Sequence, residues 1–254
     1  MHKNIVDIKL LYIRKLREAR RNPVFIVIGI TMPFFYLSLF APLLKSLTDN
    51  QGLLGNNVFT TFVPGMLANI AFNGGIFSGF SIIDELRSGL IERLRVTPAS
   101  RFALLAGPVL RDITTTLIQV ILFVLIALPF GFRMNIFGLG ILLILLCLLV
   151  AISSSFGNAM GLISKDEDRF APIVHSINLP MMLLSGVLLP MSLAPKWLQM
   201  LAHCNPIYYV VEAARHLAIG EVWHTTVIQA FLVIVPLLLL SLTWATKVFS
   251  KAVM

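Results

Sequence analysis

Six apolar runs, each near the length of a bilayer crossing, dominate this chain and leave few folds open to it. Crossing about 30 Å of hydrocarbon takes about 20 helical residues. In lipid every backbone N–H and C=O has to be satisfied internally, so runs of this kind become helices. They lie at residues 24–44, 58–81, 109–129, 136–163, 172–190 and 227–246. The fourth is over-long and holds Gly157 and Gly161, which predicts either a tilted crossing or a helix that continues past the membrane. Only 13% of residues are charged and 57% are hydrophobic, outside the range of soluble globular domains. The expected fold is all-α and integral to the membrane, a single transmembrane domain over residues 23–254 behind an amphipathic segment at 1–22.

The charges orient it. Seven Lys/Arg residues precede Pro23, and sixteen of the twenty in the chain fall on the side shared by both termini if all six runs cross. Only Lys45, Arg133, Lys196 and Arg215 fall on the other side. Cytoplasmic loops carry the excess of Lys and Arg, so both termini are expected in the cytoplasm. In residues 1–22 the basic stretch is too long for a cleavable leader and no small-residue cleavage site follows. Ile5, Ile8, Tyr12, Leu16 and Ala19 share one side of a helical wheel, with Asp7, Arg14, Arg17, Glu18 and Arg21 opposite. That is the pattern of a helix lying in the headgroup layer.

Between the second and third runs sits a polar island, Asp84 to Arg101, with four arginines and three carboxylates. Leu86, Leu90, Ile91 and Leu94 make an apolar stripe that predicts a short helix from about Asp84 to Val96, stopped by Pro98. Two readings stay open on spacing alone: a solvated loop that fixes topology, and a docking element for a cytoplasmic partner. The last outer connection, residues 191–226, is too long for a turn and too apolar for a free loop. Two short helices dipping back from the outer face would satisfy its backbone, with Trp197, Tyr208, Tyr209 and Trp223 at headgroup level.

Polar residues within the runs are few. Asn69 and Asn73 stand one turn apart in the second, and Asn178 and Ser185 mark the fifth. Amides in lipid face other helices or a cavity, so both interhelical hydrogen bonding and a substrate path are open to them. No Asp or Glu falls clearly mid-membrane, which disfavours an ion-coupled secondary transporter. No Ser/His/Asp or His/Cys cluster at membrane depth suggests an enzyme. His203, Glu212 and His216 match no common metal-ligand spacing, so no metal site is expected. Cys147 and Cys204 are too few and too ill matched for a disulfide framework.

The island holds Glu85, Gly89, Glu92, Leu94, Thr97 and Pro98 in the spacing E-x3-G-x2-E-x-L-x2-T-P, and in this it resembles the cytoplasmic loop of the ABC-2 type permeases. The stretch from Leu184 to Arg215, with Ser185, Gly186, Pro190, Pro195, Trp197, Asn205, Pro206, Glu212 and Arg215, is similar to the carboxyl-terminal signature of their daunorubicin-resistance and nodulation-factor export branch. The resemblance implies a six-helix permease subunit that pairs with a second copy of itself. Each copy would lie in the bacterial inner membrane and receive a separate ATP-hydrolysing subunit on its cytoplasmic face. It implies an in-plane helix over residues 4–21 and a coupling helix about Asp84 to Val96, with Glu85, Arg87, Gly89, Glu92, Arg93, Thr97 and Pro98 facing the ATPase. It implies a re-entrant outer hairpin about Leu193 to Ile219, carrying Pro195, Trp197, Asn205, Pro206, Tyr208, Glu212 and Arg215. Helices two and five would line the path, with Asn69, Phe72, Asn73, Asn178, Met182 and Ser185 on it. The cargo implied is an amphipathic drug, lipid or glycolipid, with polysaccharide or glycolipid export through the same fold as the alternative. There is no G-x-x-x-x-G-K-[ST] and no Gly-Lys pair anywhere, so ATP and Mg are expected on the partner and no cofactor on this chain.

Overall fold

The computed structural model describes residues 2–21, 24–40, 58–95, 101–188 and 190–252, and every regular element among them is a helix. In chain order these are α1 (His2–Arg21), α2 (Val24–Phe35, closing in a π turn at Tyr36–Phe40), α3 (Val58–Ile76), α4 (Ser78–Arg87), α5 (Leu90–Arg95) and α6 (Arg101–Ala127). Then come α7 (Ile136–Ser164), α8 (Glu167–Leu184), α9 (Lys196–Ala202), α10 (Pro206–Ala218) and α11 (Thr225–Ala252). Among the described residues four stretches are long and apolar enough to cross a bilayer: Phe59–Arg87, Ala103–Phe130, Ile136–Ser164 and Thr225–Lys251. The bent pair α1–α2, whose arms meet at 62°, would make a fifth. The expected run at 172–190 corresponds to α8, whose first turn carries Glu167, Asp168 and Arg169.

α7 is the axis of the bundle and packs against α3, α4, α6, α10 and α11. Phe62, Met66 and Leu67 of α3, Phe123 of α6, Leu142, Leu145 and Leu146 of α7, and Val210, Val211 and Leu217 of α10 form one continuous core. A second cluster of Ile82, Leu105, Val109, Leu162 and Phe249 fills the end nearest the termini. Asn135 opens α7 by accepting a hydrogen bond from Phe137 N at 3.2 Å, and Asp166 opens α8 by accepting from Asp168 N.

The over-long fourth run is accounted for by its glycines. Gly157 and Gly161, one turn apart on α7, lie against Ile76 and Gly79 at the α3–α4 joint, and Gly75 one turn before Gly79 lies against Ser153 and Ser154 of α7. A Cβ on Gly157 would land on Ile76 O, and one on Gly79 on Gly157 O. Small residues at this spacing let two helix backbones touch, which is how helices associate where no hydrophobic drive separates side chain from lipid. Gly157→Ala is therefore expected to lower stability by about 1–3 kcal/mol, the usual cost of overpacking. The matched control Gly140→Ala, where a Cβ meets nothing within 4 Å, should be neutral or slightly stabilising. Thermal unfolding of the purified chain in detergent compares the two, and equal midpoints would contradict this packing.

Three boundaries around the island differ from expectation. α3 and α4 run on almost continuously to Arg87, so the charged island starts as the end of a spanning helix. The helix expected from Asp84 to Val96 is broken at Gly89, where φ is +67°. α4 and α5 are two helices joined by an elbow, because a left-handed residue cannot sit inside an α-helix. α6 begins at Arg101, eight residues before the apolar run that marks it, since Leu104 and Leu105 are already buried.

Candidate functional site

At the end of the bundle that carries α1, the candidate coupling residues divide. Glu85 does not face outward: it is buried, and its carboxylate lies 2.6 Å from Lys15 Nζ of α1. Arg14 approaches the same carboxylate at 3.9 Å. Lys15 in turn donates to Ser81 at 3.1 Å. Arg87 reaches across to the α7–α8 connection, 2.8 Å from Asp166 and 2.5 Å from Glu167. Gly89 has open space where a Cβ would go, and Arg93 is exposed. Thr97 and Pro98 lie outside the described residues, as does the Glu92 side chain.

Behind Glu85 the polar chain continues inward. Arg111 Nη2 donates to Ser81 at 3.3 Å, and its Nε lies 3.2 Å from Asp112, which is 1% exposed. Ser154 donates to Asp112 at 2.5 Å, Asn158 to Ser154 at 3.1 Å, and Ser78 to Asn158 at 3.1 Å. Charges and hydroxyls from α1, α4, α6 and α7 thus form one connected network in which the buried carboxylates have partners, as burial in an apolar medium demands. The topology count takes Lys15 and Arg111 as charges beside the membrane, and Asp112, inside the expected run 109–129 where no clearly mid-membrane carboxylate is expected, is fully buried in the spanning stretch Ala103–Phe130. The run Ser153-Ser154-Ser155 with Asn158 inside an apolar helix was the available signal. α1 is accordingly more than an in-plane float: its side bearing Leu11, Tyr12 and Lys15 docks on α6, where Gly107 meets Leu11 and Tyr12 bonds Thr114 at 3.0 Å.

The asparagines of the second and fifth runs come together. Asn178 Nδ2 donates to Asn73 Oδ1 at 2.7 Å, and Asn73 Nδ2 to Asn69 Oδ1 at 3.0 Å. This ladder ties α8 to α3 with ordinary interhelical hydrogen bonds. Phe72 belongs to the core, and Met182 is half-buried. Ser185 is fully buried and donates to Met182 O at 2.7 Å, so it closes α8 and does not face a path.

At the opposite end the hairpin is built from α9 and α10. Asn205 accepts from Ile207 N at 3.0 Å and donates to Met181 O at 2.7 Å, capping α10 while holding the end of α8. Pro206 occupies the first turn, where no N–H is needed. Arg215 is the clasp: its guanidinium donates to Thr61 O at 3.1 Å, to Glu212 at 2.6 Å and to Gly186 O. Burial draws the Arg215 guanidinium below its ordinary range, and the adjacent Glu212 carboxylate opposes this. Pro195 precedes α9, Trp197 is exposed, and Tyr208 packs edge-on against His203. Burial, then Glu212, pushes the Tyr208 phenol up. His203, Tyr208, Tyr209, Glu212, Thr226 and Gln229 border a cavity of about 330 Å³ beside α11. His216 meets Glu221 and His224, not His203 and Glu212.

Residues 6–219 match the model of a membrane-protein family described as the ABC-2 type transporter. The chain belongs to the ABC-2 type transporter family. Among curated proteins it is 28% identical over 221 residues to ycf38 of Cyanophora paradoxa, named as a transport permease, covering 86% of this chain and 76% of that one. It is 28% identical over 235 residues to ycf38 of Pyropia yezoensis, covering 89% and 78%. It is 23% identical over 210 residues to the daunorubicin resistance ABC transporter permease protein DrrB1 of Streptomyces coeruleorubidus, covering 82% and 73%. The ABC-2 match ends at the last residue of the hairpin region and takes in the island, the glycine crossing and the buried network. The chain is therefore a multi-pass ABC transporter permease, and ABC-2 permeases work with separate ATP-binding subunits.

Proposed function

We propose that this chain is the membrane subunit of an exporter that moves an amphipathic drug, lipid or glycolipid out of the cytoplasm or inner leaflet of a bacterial membrane. It works as a pair of identical copies, each driven by its own ATPase. The observation that carries the reading is the division within the island. At the α4–α5 elbow Gly89 has open space beside it and Arg93 is exposed, while Ile91 packs into the second core cluster and the root at Glu85 is bound to α1 and through Ser81 to the network of α6 and α7. A push at the elbow is passed to helices that span the bilayer, as rigid-body switching requires. We assign Glu92, Thr97 and Pro98 to the same contact from their places in the sequence. Pairing of two copies is supported by α8, which uses Asn178 toward α3 but leaves Ile173, Leu179 and Leu183 exposed. Six crossings, with the hairpin re-entering from the outer face and both termini inside, accommodate these contacts.

The test is reconstitution in proteoliposomes with the ATPase subunit, following a fluorescent amphipath. Transport is expected only with ATP and the ATPase, and Gly89→Pro, which alters the elbow alone, should cut it at least about tenfold while both subunits stay folded. Transport by the permease alone on an ion gradient would refute the proposal.

A further inference from the structure

His216, Glu221 and His224 offer one ligand atom each within 4.8 Å of one another, and from their arrangement we infer that the α10–α11 connection is a binding site for a late first-row divalent metal such as Zn(II). The scaffold is rigid on both sides. α10 ends in a Schellman closure: Gly220 takes φ +91°, its N–H donates to Leu217 O at 3.2 Å, and Glu221 N donates to His216 O at 2.9 Å. That closure, which needs a left-handed residue, folds Glu221 back over His216, whose Nδ1 lies 2.7 Å from the carboxylate. On the other side His224 is the residue before α11, its Nδ1 2.8 Å from Thr226 Oγ1 and its carbonyl accepting from Val227 N. The two imidazoles lie flat on each other, centroids 3.7 Å apart and planes 8° from parallel.

Two imidazoles and one carboxylate are the donor set that suits Zn(II), Cu(II) or Ni(II) and leaves positions for water. A magnesium or calcium ion would ask for oxygen ligands instead. Parallel rings cannot aim both lone pairs at one ion, so binding turns one ring about its Cβ–Cγ bond. The part-exposed edges of both rings permit that, and Glu221 can follow because its side chain is half exposed. The bound ion would staple the end of the hairpin to the start of the last helix, next to Thr226 and the cavity wall it belongs to. The spacing H-x4-E-x2-H has no place in the transport reading above, which neither needs the ion nor falls with it.

The experiment uses the full chain, stripped with a chelator, carrying an affinity tag without histidine, in detergent. Zn(II) is titrated against a chromophoric competitor, with Co(II) absorption reporting geometry. One ion per chain is expected. His216→Asn with His224→Asn should weaken binding at least about tenfold, as loss of ligand-shell residues does, while His203→Asn and His175→Asn leave it unchanged. Zn(II) should raise the thermal midpoint of the parent and not of the double variant. Equal Zn(II) affinity in parent and double variant, or sensitivity to His203→Asn instead, overturns the site.

Discussion

Glu85→Ala is expected to be the most damaging single truncation at the basic end of the bundle, lowering stability by about 3–5 kcal/mol, because it takes the near, buried partner from a buried lysine. Lys15 is 5% exposed and its ammonium sits 2.6 Å from Glu85, with only the more exposed Glu18 at 3.4 Å as a second carboxylate. Removing Glu85 takes away the near partner without giving the charge access to water. Restoring complementarity by Lys15→Glu with Glu85→Lys should recover part of the loss, and replacing both by Met should recover most of it, since a buried pair is often no better than well-packed apolar side chains. Arg87→Ala makes the contrast. Its two ion pairs are more than a third exposed at each partner, so it should cost no more than about 1 kcal/mol. Thermal unfolding of the purified variants gives the double-mutant cycle directly. Additive losses at Lys15 and Glu85 would show that the pair is not coupled. In transport the Met/Met variant is the informative one. It stays folded but replaces a fixed ionic joint between α1 and α4 with a slippery one, so its ATP-driven transport should fall while its melting point does not.

How far the sequence revealed this depends on what kind of force places each residue. Spans follow from hydrophobic length, which is local. The run boundaries at 58, 136 and 163 therefore fall within a residue of the helix ends at Val58, Ile136 and Ser164. The elbow was missed because the apolar stripe Leu86, Leu90, Ile91, Leu94 is continuous on a wheel, although Gly89 stands in the middle of it. Periodicity records which faces are apolar and carries no information on the sign of φ. Asn205 and Pro206 could be placed at a helix start because capping is local chemistry.

Charges were the least legible. The topology argument treats every lysine and arginine alike, yet Lys15 and Arg111 turn inward while Arg14 and Arg93 stay outside. Lys15 meets Glu85 at 2.6 Å and Ser81 at 3.1 Å where Arg14 only approaches Glu85 at 3.9 Å, and Arg111 reaches across to the same Ser81. The glycine crossing has the same character. Gly75, Gly79, Gly157 and Gly161 show their one-turn spacing in the sequence, and only the fold sets Gly79 against Gly157 and Gly161, and Gly75 against Ser153 and Ser154.

Arg215→Met should release the hairpin, with a loss of at least about 3 kcal/mol, because hydrogen bonds from a charged donor contribute about 1.5–3 kcal/mol each and three end here. The partners belong to three different elements: Thr61 near the start of α3, Gly186 just past α8, and Glu212 one turn back on α10. A planar fork can hold several acceptors at fixed angles, and a lysine ammonium on a flexible stem cannot, so Arg215→Lys should keep the charge yet behave nearly as badly as Met. Glu212→Gln should be mild. Its amide oxygen still accepts from Arg215, and both carbonyl anchors remain. Limited proteolysis within residues 191–224, alongside the thermal midpoint, distinguishes a loosened hairpin from global unfolding. Cleavage should appear there in the Met and Lys variants before the core helices open. If Glu212→Gln were as harmful as Arg215→Met, the clasp would be an ion pair and nothing more.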